Sequence, residues 1–152
     1  MLMGFKHLVP FCKKLMTAFP YVIVIAAACA GFFIAWNIRR KKQTQEHFVC
    51  PIGFDCDAVV RSKYSRVMGI PVEIGGMLYY TLIAVSYTLF YFAPVFLSPD
   101  LSLAVLATSG GAVLFSLYLT GVQMFALKEW CTWCLASAFM CAIIFAGALW
   151  IA

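Results

Sequence analysis

The chain has 152 residues, of which 64% are hydrophobic, 16% aromatic and 11% charged, with a mean hydropathy of +0.95. A soluble domain runs about 45–50% apolar and about 25% charged, so a water-dispersed fold, a disordered chain and a nucleic-acid module are all excluded. The net charge of +5, from 11 Lys and Arg against 6 Asp and Glu, therefore reads as membrane orientation and lipid contact rather than as a phosphate footprint.

The charged residues leave four long charge-free stretches, 15–38, 74–99, 101–127 and 130–152, holding 24, 26, 27 and 23 residues. About 20 apolar residues cross the hydrocarbon core as a helix, and in lipid a helix satisfies its own backbone. The pattern predicts an all-α membrane protein, a single four-transmembrane-helix bundle over 1–152 with spans near 17–36, 74–94, 101–125 and 130–150. The first apolar run exceeds the 7–15 residues of a signal-peptide core, so it reads as a retained anchor. Ala27, Gly31 and Ala35 in the first span, and Ser109, Ala112, Ser116 and Thr120 in the third, form stripes of small residues that let helices approach closely.

Four spans place both termini on one side of the bilayer. The 37–73 connection and the short Lys128–Glu129 link lie on the other side, and Ser98–Pro99–Asp100 reads as a tight turn on the terminal side. The 37–73 connection is large enough to hold a structured cap. It opens with Arg39, Arg40, Lys41 and Lys42, then presents Cys50 and Cys56 around residues 51–55. Asp57 suits a helix N-cap. Val60, Tyr64, Val67 and Met68 fall on one apolar helical face, and Gly69 and Pro71 end the segment. A short interfacial amphipathic helix is expected there, either anchoring the loop or covering a pocket as a lid.

The fourth span begins with Cys131-Thr132-Trp133-Cys134. Cysteines three apart on a helix share a face and suit a disulfide that opens and closes. The helix start favours an anion, which makes Cys131 the more reactive thiol. Because this point lies on the same side as the cap, Cys50/Cys56 and Cys131/Cys134 form two dithiols on one membrane face. Thiolate attack on a neighbouring disulfide passes two electrons per step, and a relay ending at the bilayer calls for a lipid-soluble acceptor such as a quinone. Two structural disulfides and a zinc site are the alternatives, although the Cys-x5-Cys spacing suits zinc poorly and no metal is expected. Cys29 and Cys141 read as small apolar residues within spans, Cys12 lies on the terminal side, and His7 and His47 read as solvated. Trp130 and Trp133 read as interfacial aromatics.

The segment from Cys50 through Cys56 and Ser62 to Ser65, followed by Gly69-Ile70-Pro71, Gly76-x-x-Tyr79-Tyr80 and the Cys131–Cys134 motif, resembles the vitamin K epoxide reductase family over roughly residues 17–150. The disulfide-bond protein B family, also built on four spans, carries its CxxC in the first loop, so the order of the pairs separates the two. The resemblance implies a membrane thiol:quinone oxidoreductase that generates disulfides. It implies that Cys50 exchanges with a thioredoxin-like partner, that Cys56 passes electrons to Cys131, and that Cys134 faces the quinone, of ubiquinone or menaquinone type. Ser62 matches a cap serine expected near the quinone. Animal members that reduce the epoxide carry an Asn and a Tyr where this chain has Val72 and Ala138, which points to the microbial thiol-oxidising role with a separate partner protein. The other readings are a non-enzymatic membrane subunit with structural cysteines and a vitamin K epoxide reductase proper. Partners are thus a thioredoxin-like thiol protein and membrane lipid, with no nucleic acid.

Orientation divides two rules. The terminal face holds three Lys and the relay face eight Lys and Arg, so the positive-inside rule places the relay in the cytoplasm. Disulfide formation favours an oxidising compartment. A cell-membrane protein with an extracytoplasmic redox face is expected, with inverted insertion as the alternative.

Overall fold

The computed structural model describes residues 5–45, 56–67, 69–93, 95 and 98–151, with side chains of the first helix described from Ala18 onward. Helix α1 spans Phe5–Thr44, and a five-residue α2 spans Cys56–Val60. A 3-10 turn at Lys63–Ser65 leads into strands β1 (Arg66–Val67) and β2 (Ile70–Pro71). Helices α3 (Val72–Phe92), α4 (Pro99–Val122) and α5 (Thr132–Ile151) follow, and a π-helical turn at Gln123–Leu127 extends α4.

Among the described residues four helices, α1, α3, α4 with its π turn, and α5, are long and apolar enough to cross a membrane. The protein is a four-helix membrane bundle, as the charge gaps predicted. Their ends differ in instructive ways. At 40 residues α1 is about 60 Å long, twice the hydrocarbon thickness, so it runs well past the expected 17–36 and out of the bilayer. That extension carries Lys42 up beside the cap. Ser98 does not sit in a turn. It is the N-cap of α4, its hydroxyl accepting from the Leu101 N–H at 3.3 Å, with Pro99 in the first turn where a missing N–H costs nothing.

The cap also departs from a single amphipathic helix. Helix α2 stops at Val60, Ser62 is extended, and the chain then folds back as a two-stranded hairpin pairing Arg66 with Pro71 and Val67 with Ile70. Gly69, at φ +83°, takes the left-handed conformation that the hairpin turn requires. The helical spacing of Val60, Tyr64 and Val67 was therefore accidental, because tight turn chemistry at Gly69 outweighs periodicity in so short a segment. Asp57 lies inside the first turn of α2, where its carboxylate accepts from Arg61 Nε at 2.9 Å, and is not an N-cap.

Helix α1 packs against α3 and α5, and α4 against α5, while α3 and α4 scarcely touch. The α1 stripe of small residues explains the closest approach. Ala27 and Ala35 are buried, and a Cβ on Gly31 would collide with the ring of Tyr80. Tyr80 is itself buried, its hydroxyl donating to the Ser137 carbonyl at 2.9 Å and lying 2.7 Å from Ser137 Oγ and 3.3 Å from Cys141 Sγ. Val24, Ala28, Ile83, Tyr87, Phe90 and Ile144 complete this core. The α4 stripe behaves differently: Ser109 is buried and Ala112 packs against the core, while Ala112, Ser116 and Thr120 also line a cavity. The gap between α3 and α4 is what opens it.

Candidate functional site

Cys131 immediately precedes α5, and Cys134 falls in its first turn. The backbone explains their positions. The first amides of a helix lack internal partners, and here the Cys134 N–H points at Cys131 Sγ, 3.4 Å away, so the sulfur caps the helix that carries its partner. The Cys131 N–H is held in turn by the Gln123 side chain, whose Oε1 accepts it at 3.1 Å. Gln123 reaches inward because it begins the π turn, a local widening common at functional sites, and Lys128 closes that turn in the left-handed region at φ 56°. Both Gln123 and Cys131 are buried. The Cys131 thiol is pulled below its ordinary range, chiefly by the Cys134 thiol hydrogen-bonded to it and further by the N–H groups of Cys134 and Trp133, against the opposing effect of burial. A thiol so placed ionises more readily than a free one.

Cys56 opens α2 and is fully buried in one apolar cluster with Val59, Val60 and Cys131, against which Ile38, Leu127, Trp133 and Cys134 pack. Cys56 is disulfide-bonded, whereas Cys131 and Cys134 are free thiols. Cys50 lies outside the described residues. Trp133 packs against this cluster, its Nε1 buried with no hydrogen-bond partner among the described residues.

Below the cluster lies a cavity of about 600 Å³ bounded by the cap, α3, α4 and α5. Cys134 and Ser62 both line it, as do Val72 and Ala138. The Ser62 hydroxyl makes no capping bond, whereas Ser65 Oγ accepts from Lys42 Nζ at 3.1 Å. Cys141, expected as a plain apolar residue, also lines the cavity while bonded to Tyr80.

Three residues of the site escaped the sequence, and a fourth, Tyr79, was read there only as part of a motif. Glu73, placed by its charge at the edge of the loop, is a buried first-turn residue of α3 that lines the cavity and pairs with Lys42 at 3.2 Å. Lys42 was read as part of a basic run. Gln123 is a polar residue within an apolar span, which is itself a signal of function. Tyr79 lines the cavity, its Oη buried beside the Ser109 hydroxyl, with no other polar partner among the described residues. An apolar cavity of this size with a phenol hydroxyl on its wall fits a flat, carbonyl-bearing lipid such as a quinone.

Four spans, a dithiol at a helix start and a second, oxidised cysteine packed against it define a membrane oxidoreductase of the thiol–disulfide class. Residues 20–149 match the vitamin K epoxide reductase family, and the chain belongs to it. Membership makes it a multi-pass membrane protein with a disulfide and quinone redox role in general terms. No curated protein matches the chain.

Proposed function

We propose that the protein is a membrane thiol:quinone oxidoreductase that generates disulfides. The carrying observation is the division of labour around one helix start: Cys131 packs with Cys56, while Cys134 lines the cavity. In this scheme a reduced thioredoxin-like protein gives its electrons to a Cys50–Cys56 disulfide and leaves oxidised. The Cys56 thiolate then attacks the Cys131–Cys134 disulfide at Cys131, forming a Cys56–Cys131 bond and freeing Cys134 as a thiolate. Cys50 attacks Cys56, restores the Cys50–Cys56 disulfide and releases Cys131.

Ser62, Tyr79 and Cys134 are the residues offered to a quinone of ubiquinone or menaquinone type in the cavity. When bound, the quinone supplies the sink for two electrons and two protons. The open seam between α3 and α4 leaves room for an apolar tail. Val72 and Ala138 present only hydrocarbon to the same space, which favours the thiol-oxidising role over epoxide reduction.

The test uses Cys134→Ala in the full chain with a reduced thioredoxin-like carrier and a soluble benzoquinone. Loss of quinone reduction is expected, because the Cys131–Cys134 disulfide that the quinone regenerates can no longer form, and full oxidase activity in that variant refutes the order. For orientation, an extracytoplasmic redox face is proposed. Arg61 is tied to Asp57 and Lys42 to Glu73, so part of the relay-face charge is committed to the cap. Reduced Cys50 should react with a membrane-impermeant thiol label on intact cells, and labelling only after lysis reverses the assignment.

A further inference from the structure

Glu73 occupies the cavity wall, 8% exposed, with its Oε1 3.2 Å from Lys42 Nζ, and Lys42 also donates to Ser65 Oγ at 3.1 Å. An acid in the first turn of a helix gains about 0.3–1 kcal/mol from the helix dipole while remaining in water. Burying that acid with a cation incurs a desolvation penalty that often exceeds their attraction, so stability alone is a poor reason for its position. Several groups face it. Lys42 comes from α1, Ser65 and Tyr64 from the cap, and Cys134 from α5, whose thiol feels the charges of both Glu73 and Lys42.

Formation of the Cys131–Cys134 bond breaks two S–H bonds and releases two electrons and two protons. Conversion of a quinone to a quinol takes up both electrons and forms two O–H bonds, so the protons must travel from the thiols to the ligand oxygens. The cavity wall is mostly apolar and offers few groups able to carry them. Building on the thiol:quinone reading above, we propose that Glu73, positioned by Lys42, is the proton carrier of the cavity. Its carboxylate takes each proton released from the thiol pair and passes it to a ligand oxygen, ending each cycle unchanged. Lys42 holds the carboxylate toward the cavity and, through Ser65, ties it to the cap.

The experiment uses the full chain in detergent with two readouts. One is single-turnover oxidation of the pre-reduced protein by a short-chain benzoquinone. The other needs no quinone: alkylation of Cys134 by iodoacetamide as a function of pH in a Cys131→Ser background. For Glu73→Gln the turnover should slow by at least about tenfold, since positioned proton transfer contributes about 10²–10⁴-fold, and Glu73→Asp should recover part of it. In the same Gln variant, alkylation at pH 7 should accelerate, because a negative neighbour is gone, while the plateau at high pH stays unchanged. Opposite movement of the two readouts distinguishes proton transfer from cap-holding. Wild-type turnover in the Gln variant overturns the proposal, as does a loss common to Gln and Asp with a changed plateau. If the wild-type protein itself fails to reduce any quinone, the ligand reading fails and this proposal falls with it.

Discussion

Replacing Gln123 with Leu tests how the thiol pair is held. Gln123 Oε1 accepts the Cys131 N–H at 3.1 Å, and both residues are almost wholly buried. Leucine has nearly the same volume, so packing changes little and the main consequence is a buried N–H without a partner. Such a group costs about 1–3 kcal/mol. Cys131 is 0% exposed, so its modification in the native reduced protein requires local opening, and the substitution lowers the free energy of that opening by the same amount. Alkylation of Cys131 should therefore speed up by about 5- to 150-fold at fixed pH, since each 1.4 kcal/mol is a factor of ten. The assay is timed alkylation of reduced protein with mass-spectrometric separation of the Cys131 and Cys134 products. Gln123→Glu keeps the acceptor and should stay close to wild type in Cys131 access. An unchanged Cys131 rate in Gln123→Leu, with the helix content intact, would show that the π turn does not restrain the thiol and would refute the reasoning.

Three further outcomes are expected. Gly31→Ala drives a methyl group into the Tyr80 ring and should lower stability by about 1–3 kcal/mol, whereas Gly121→Ala meets nothing and should be neutral or raise stability by about 0.5–1 kcal/mol, both read by unfolding in detergent. Tyr80→Phe removes the hydroxyl shared by Ser137 and Cys141, and should cost about 0.6–1.7 kcal/mol, the range found for polar contacts between membrane helices. The Cys131 thiol lies below its ordinary value, so alkylation of reduced protein should persist at pH values where a free thiol, with a value of about 8.5, is mostly protonated. Because the native value is the lower one, the stability contributed by this thiolate is complete above the unfolded value and is lost as pH falls through the native value. Cys134→Ala removes the largest cause and should move the Cys131 profile to higher pH.

Much of the architecture was legible in the chain because a bilayer imposes a simple demand. Charges are excluded over about 20 residues at a time, so their gaps mark the spans, and a CxxC at the edge of a gap marks a reactive helix start. The cap was less legible. Its Val60, Tyr64 and Val67 spacing matched a helix, yet in a segment of a dozen residues one glycine at positive φ decided for a hairpin. The stripe in α4 was recognised as a packing feature, but not as a cavity wall, since small residues line a cavity as readily as a helix contact and composition does not distinguish them.

By itself, then, the sequence determined a membrane bundle and its four spans, which follow from hydropathy, and the placing of Cys56 on the same side as Cys131 and Cys134, which follows from the parity of the crossings. Tertiary structure decided which groups meet. Lys42 and Glu73 come from different helices, Gln123 is turned inward by a π turn, and Cys131 and Cys134 are divided between the cap cluster and the cavity. Hydropathy responds to burial one residue at a time, whereas each of these contacts depends on how two helices are rotated and spaced. Only packing fixes that, and here close α1–α3 contact at Gly31 beside a loose α3–α4 seam sets the geometry.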